Sequence, residues 1–364
     1  MAQKTVRVAV TQAEPAWLDL AGAVKKTCSL IEEASQHGAE LIAFPECWIP
    51  GYPCWIWYVS TMVSSSSKMK SANLIRTRLI DFDLNVKYIK NSLAVDSPEM
   101  KTICSCARDN QISVALGFSE NDNNSVYISQ AIISPDGEIK CHRRKMKPTH
   151  MERTVFGDAS GHVFRSVASL PFARVGALSC WEHIQPLLKF QTYSQREDIH
   201  CSAWPPLSPH TGGPDLWSMS TEGKRLFFLF FFFRTVSANF LPGCQSLSRT
   251  YACESQTFVL HSTQVITEKG IEAMQTAGGI LMSSPGGGSS AIYGPDGRAL
   301  SEPAVSTTET ILYANLDLEE ILRIKMFADG LGHYSRPDLM WLGTCNDVKK
   351  MVMVLPDGPE STAD

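Results

Sequence analysis

The sequence predicts an α/β fold, and three observations carry that prediction. A strand–helix–strand run opens the chain between Val6 and Phe44. A second apolar strand, Val175 to Ser179, is followed by a helical stretch and another strand. Between them, a proline-started helix at Ser97-Pro98-Glu99 leads into further strands. Strand and helix periodicities thus alternate along the chain instead of segregating.

Taken in order, Val6 to Val10 alternates with small residues and reads as a buried strand. Ala23 to His37 carries Val24, Cys28, Ile31 and Ala34 at helical spacing, and Gly38 suits the helix end. Leu41 to Phe44 is a short strand stopped by Pro45. Ser97 is a helix cap with proline at the first helical position, and Met100, Ile103, Cys104 and Ala107 give that helix an apolar face. Ile112 to Phe118 and Val126 to Ser134 read as strands, with the turn Pro135-Asp136-Gly137 leading into Ile139. A second turn of the same composition, Pro295-Asp296-Gly297, follows Ala291 to Tyr293 and hints at similar halves. Pro186 to Gln195 reads as helix, Ile199 to Ala203 as strand, Leu247 to Gln256 as helix and Phe258 to His261 as strand. A late strand at Ile311 to Leu316 precedes a helix from Leu318 to Phe327, and the end from Pro356 onward is polar.

A chain of 364 residues suits one large α/β domain or two ordinary ones. With 44% hydrophobic and 19% charged residues it reads as globular. Its net charge of −4 offers no broad basic field, which argues against a nucleic-acid partner. Met1 to Lys4 is polar and does not read as a signal peptide. The longest apolar run, Leu226 to Phe233, falls short of the roughly 18–20 residues a membrane helix needs. The 11 cysteines are odd in number and lack zinc-type spacing, so they read as reduced thiols of a cytoplasmic protein.

Three polar residues stand at strand ends. Glu46 follows Leu41 to Pro45, Lys145 closes the basic run His142-Arg143-Arg144-Lys145, and Cys180 follows Val175 to Ser179. Sites in open α/β sheets form at the carboxyl ends of strands. Each residue alone also has a structural reading, as a loop carboxylate, a solvated charge and a buried small hydrophobe.

The strings around them decide between the readings. Phe44-Pro45-Glu46-Cys47-Trp48-Ile49-Pro50-Gly51-Tyr52-Pro53 resembles the glutamate motif of the nitrilase family. Arg143 to Arg153, through Lys145 and Glu152, resembles its lysine motif, and Cys180-Trp181-Glu182-His183 its cysteine motif. Ala203-Trp204-Pro205 and Gly332 to Asp338 match further downstream, so the resemblance runs from about Val6 to Leu342. It implies a four-layer α-β-β-α sandwich over residues 5–342, with 343–364 as a tail, and self-association as dimers or longer spirals. It also implies a Glu46–Lys145–Cys180 triad, a supporting role for Glu152, and substrate-lining roles for Tyr52 and Trp181. Trp55, Trp57, His150 and Trp204 are weaker pocket candidates.

The roles fit the chemistry of a nitrile, whose carbon is a weak electrophile and calls for a thiolate with a lowered pKa. Lys145 would favour that thiolate and stabilise developing negative charge, aided by the Trp181 amide. Glu46 would take the thiol proton and later activate water. These groups suffice without a metal or an organic cofactor. The small-molecule substrate is read as an organic nitrile converted to acid and ammonia. A cyanide hydratase giving formamide is the alternative, although Cys180 to Pro186 looks closer to nitrilases. A further alternative is an inactive or misfolded product.

That last alternative arises from residues 224–243, which interrupt the family pattern between Gly223 and Cys244. The segment contains Leu226-Phe227-Phe228-Leu229-Phe230-Phe231-Phe232-Phe233, an aggregation hazard wherever it meets water. It reads as a retained intron. Gly223-Lys224 can be encoded with a splice-donor pattern, the phenylalanine run with a pyrimidine tract, and Pro242-Gly243 with an acceptor CAG. That reading implies a eukaryotic source with short introns, such as a fungus. The competing reading is a true insertion that makes a hydrophobic contact between subunits.

Overall fold

The computed structural model describes residues 5–62, 74–77, 81–207, 243–279 and 281–350. Residues 224–242 of the interrupting segment, and the tail beyond 350, lie outside the described residues. The strands are β1 (Thr5–Ala13), β2 (Leu41–Ala43), β3 (Val59–Met62), β4 (Leu74–Thr77), β5 (Ser113–Asp122), β6 (Ser125–Ile133) and β7 (Ile139–Arg144). They continue with β8 (Val167–Ser169), β9 (Arg174–Ser179), β10 (Ile199–Trp204), β11 (Phe258–Gln264), β12 (Ala291–Tyr293) and β13 (Thr310–Asp317). The helices are α1 (Leu20–Gln36), α2 (Phe82–Asn91), α3 (Pro98–Asp109), α4 (Pro186–Tyr193), α5 (Gly243–Ser255), α6 (Glu268–Ala273) and α7 (Glu319–Lys325).

Eleven strands form one hydrogen-bonded sheet, which forks at β1. Along Thr5 to Gln12, β1 pairs with β13 antiparallel, while β2 takes its other edge. Only Gln12 and Ala13 reach β11, opposite Thr263 and Gln264. The result is two layers joined at one corner. One runs β7-β6-β5-β2-β1 with β13, the other β11-β10-β9-β8 with β12 on β11. β3 and β4 pair separately.

Alternation along the strands fills three cores. Val6, Val8 and Val10 of β1, Leu41 and Ala43 of β2, Val175 and Ala177 of β9 and Leu260 of β11 meet between the two sheets. Their neighbours Ala9 and Ile42 face the other way, against α1 and α3 through Ile31, Ala34, Met100 and Ile103. On the opposite side Leu178 and Val259 meet Leu188 of α4 and Tyr251 and Ala252 of α5. Helix, sheet, sheet and helix are therefore stacked in that order, the expected α-β-β-α sandwich.

The caps hold as expected. Ser97 accepts from Met100 N–H, and Gly38, Gly137 and Gly297 take positive φ of 77, 79 and 79°. Helix α1 begins at Leu20, three residues before the expected Ala23, because Asp19 caps it by accepting from Gly22 N–H. Helix α5 begins at Gly243 rather than Leu247, so the last residue assigned to the interruption is in fact the first of a helix. The expected helix Leu318 to Phe327 is shorter, Glu319–Lys325. Helices α2 and α6 were not evident from the sequence. Residues 343–350 are exposed, and the Asp347 carbonyl accepts from Gly161 N–H at 3.1 Å.

Candidate active site

The three motifs meet at one mouth between the sheets. Glu46 lies just beyond β2, Lys145 directly after β7 and Cys180 directly after β9. The strands β2, β5, β9 and β10 are parallel to their neighbours in the central ladder, so these positions share one end of the sandwich.

Each side chain is fixed locally. Glu46 follows a backbone pressed onto β5, where a Cβ on Gly117 would collide with the Pro45 carbonyl. The Glu46 carbonyl also accepts from Gln264 Nε2 at 2.6 Å, from the other sheet. On β7 the side chains alternate. Cys141, Arg143 and Lys145 are buried, whereas His142 and Arg144 turn to the opposite face and contact Glu120. Cys180 opens a short 3₁₀ turn with φ of 49°, a left-handed conformation that a β-carbon disfavours and that often marks functional positions.

Lys145 Nζ donates to Glu152 Oε2 at 2.8 Å and stands 3.3 and 3.4 Å from the two oxygens of Glu46. Carboxylate oxygens of Glu46 and Glu152 and the sulfur of Cys180 lie within 4.8 Å of one another. Such a trio could ligate a cation, but the Lys145 ammonium already supplies one beside both carboxylates. Tyr52 OH donates to Glu152 Oε1 at 2.7 Å and accepts from Trp57 Nε1 at 2.9 Å. Thr149 N–H donates to Glu152 Oε2 at 2.6 Å. Glu152 is thereby aimed at Lys145 by two donors.

Burial and charge set the protonation. Burial pushes the Glu46 carboxyl up to about 8, although Lys145 pulls it down. Burial works against charge on Lys145, but Glu152, Glu46 and Cys180 outweigh it and hold the ammonium well above its usual range. Cys180 goes the other way from the expected thiolate. Burial and Glu46 push its thiol well above the ordinary value, against the pull of Lys145 and the Trp181 amide. This direction favours the thiol form of Cys180, from which a proton would have to leave as the sulfur attacks.

The cavity over Cys180 is walled by Tyr52, Trp57, Trp181, Leu207, Leu281 and Met282, with Glu152 at its floor. Tyr52 and Trp181, the two residues expected to line a substrate pocket, both border this cavity. Of the weaker candidates Trp57 lines the cavity, and it stacks on His150 at 5.8 Å. Trp55 packs instead on Tyr88, and Trp204 sits behind Cys180, stacked on His183 at 5.2 Å. The Gly332 to Asp338 string is largely exposed and does not line this cavity. Sequence reasoning missed Gln264, Leu281 and Met282, which come from loops and a strand with no motif of their own. It also passed over Arg143, although its spacing of two from Lys145 puts both on one face.

A thiol set among an ammonium and two carboxylates, at the mouth of an α-β-β-α sandwich, defines a cysteine-type hydrolase. The sequence profile described as Carbon-nitrogen hydrolase matches residues 7–326. The chain belongs to that family. It is 58% identical to an arylacetonitrilase of Hypocrea virens, over 97% of this chain and 95% of the relative. It is 56% identical to an arylacetonitrilase of Aspergillus kawachii, over 95% and 94%. Among solved structures it resembles a carbon-nitrogen hydrolase of Helicobacter pylori, with a TM-score of 0.62 at 17% identity, covering 92% of this chain and 97% of that one. It also resembles the NitFhit protein of C. elegans, with a TM-score of 0.61 at 16% identity, covering 94% and 67%. These two likenesses concern the fold.

Proposed function

We propose that the protein is a nitrilase that converts an organic nitrile to a carboxylic acid and ammonia, with Cys180 as nucleophile. The observation that supports this best is Lys145 held between Glu46 and Glu152 beside the Cys180 sulfur. The names of the relatives, arylacetonitrilases, narrow the bond to a nitrile, and the aromatic and aliphatic cavity walls suit an aryl substituent.

The chemistry follows from the groups in place. As Cys180 sulfur bonds to the nitrile carbon, Glu46 takes the thiol proton and passes it to the nitrile nitrogen, giving a thioimidate and restoring the Glu46 carboxylate. Glu46 then removes a proton from an attacking water, and a tetrahedral adduct forms whose negative charge lies near Lys145 and the Trp181 amide. Loss of ammonia leaves a thioester, and a second water releases the acid and restores the thiol. Loss of the thiol from the same adduct would instead release an amide. Tyr52 and Glu152 orient Lys145 throughout.

Self-association into dimers or spirals is part of the same proposal, as is a cytoplasmic location. Among the described residues no helix is long and apolar enough to cross a membrane. The deciding experiment is a panel of arylacetonitriles, aliphatic nitriles and cyanide with acid, amide and ammonia quantified. Acid from arylacetonitriles is the expected main product. Formamide from cyanide as the dominant activity would move the assignment to a hydratase.

A further inference from the structure

A chain of buried polar side chains runs behind the nucleophile, outside the cavity, and the mechanism above does not use it. His183 Nδ1 lies 2.7 Å from the Cys180 carbonyl oxygen. His183 Nε2 lies 3.1 Å from His200 Nε2, and His200 Nδ1 lies 2.9 Å from Glu197 Oε2. The other oxygen of Glu197 accepts from Tyr251 OH on α5. All of these residues except Glu197, at 4%, are fully buried.

Donor and acceptor counting gives the chain one direction. A carbonyl only accepts, so His183 Nδ1 carries the hydrogen. Burial and the neighbouring His200 hold His183 neutral, so its Nε2 is a lone pair and must accept. His200 Nε2 therefore donates. Its Nδ1 then meets Glu197, and the two share one proton whichever atom holds it. The bonds from His200 to His183 and from His183 to the Cys180 carbonyl therefore both point toward Cys180. The fold makes room for the arrangement, since a Cβ on Gly176 of β9 would collide with Glu197 Oε2. Rings lock it from the sides, with Tyr251 stacked on His200 at 3.9 Å and Trp204 stacked on His183 at 5.2 Å.

We propose that His183, His200 and Glu197 are positioning residues that hold the Cys180 carbonyl, and so keep the left-handed backbone that presents the thiol to Lys145 and Glu46. Cys180 has φ of 49° with no glycine to make that conformation easy, and a donor on its own carbonyl opposes relaxation toward the extended region. Losing the donor leaves the cavity walls intact but misplaces the sulfur, so chemistry suffers and binding does not.

The inference rests on Cys180 being the nucleophile, and the two can fail separately. Activity in Cys180→Ala would remove the mechanism, whereas the following variants address only the positioning chain. His183→Phe keeps the stack on Trp204 and removes the donor. Its kcat per titrated Cys180 thiol should fall at least about tenfold with KM changed less than about threefold, and its amide-to-acid ratio should shift. Glu197→Gln can still donate to His200 and accept from Tyr251, so it should retain turnover within about threefold, while Glu197→Leu should match His183→Phe. A merely structural role would lower melting temperature and soluble yield while leaving kcat per titrated thiol and product ratio untouched. Wild-type kcat per thiol in His183→Phe would overturn the proposal. Should that variant fail to fold, equal losses in Glu197→Gln and Glu197→Leu would overturn it just as well.

Discussion

Glu182 and Arg143 clasp the two sheets beside Cys180. The guanidinium donates to both carboxylate oxygens at 2.7 and 2.8 Å, and both side chains are buried. The same carboxylate accepts from Met146 N–H at 2.8 Å and Ser179 N–H at 2.9 Å. Those amides flank Lys145 and Cys180, so one group fixes the ends of β7 and β9 relative to each other. Burial works against the charge on Glu182, yet Arg143 and the two amides lower its pKa below the ordinary value.

Breaking this clasp should therefore damage stability and rate together. Glu182→Gln or Arg143→Leu leaves a buried charge without its partner, a change that costs about 3–5 kcal/mol. The double variant should lose less than the two singles combined, since they act as one unit. Urea denaturation of the three variants measures this, and additive losses would show that the residues act separately.

Replacing the triad should leave the fold and remove the chemistry. Cys180→Ala should abolish turnover, and Lys145→Ala or Glu46→Gln should each lower kcat by about 10²–10⁴-fold. Combined with Cys180→Ala, neither should reduce the rate further. Burial raises the Cys47 thiol well above its ordinary value, so it should be inert, and Cys47→Ala should keep measurable activity. Steady-state ammonia release from purified, folded variants distinguishes these outcomes.

The strand ends were legible because the strands are apolar runs closed by a polar residue. Leu41 to Phe44 before Glu46 and Val175 to Ser179 before Cys180 announce themselves in one sequence. The fork at Gln12 and Ala13 was not legible, because pairing two residues with β11 leaves no local periodicity. Gln264 was invisible for a similar reason. A glutamine at a strand end has no signature until the strand lies beside Glu46. The direction of the Cys180 shift was not legible either, since the sequence shows a Lys145 that favours a thiolate but not the depth of burial that opposes it.

The raised pKa of Glu46 gives opposite pH dependences for activity and stability. With its carboxylate as the base in the proposed mechanism, kcat/KM should rise with pH through an apparent value near 8 and fall below it. For stability, a carboxyl whose folded pKa exceeds its unfolded value contributes below the unfolded pKa, and that contribution is lost as pH rises through about 8. Glu46→Gln avoids ionising a buried group. Its melting temperature should exceed that of wild type at alkaline pH, with the gap closing as pH falls toward the ordinary carboxyl range of about 4–5. A gap that widened on acidification would contradict the assignment.

A chain lacking residues 224–243 should be more soluble and more active than the full chain, on the reading that the segment is a retained intron. Eight consecutive apolar residues, Leu226 to Phe233, have the composition that drives association between molecules. The described residues on either side lie close to the site. Leu207 walls the cavity, and Cys244 packs with Cys180 and Trp204. Leu207 and Cys244, on either side of 208–242, thus both pack beside Cys180. Removal joins Gly223 to Cys244 and keeps a glycine at the position Gly243 holds at the start of α5. The helix loses no side chain, and its buried Cys244, Ser248 and Tyr251 keep their spacing. Loop closure depends only weakly on length, so the shorter link need not strain the sheet beyond it. The gain should thus appear as soluble yield and ammonia released per titrated Cys180. If the full chain is the soluble and active one and the shortened chain is inert, residues 224–243 are a working part of the enzyme.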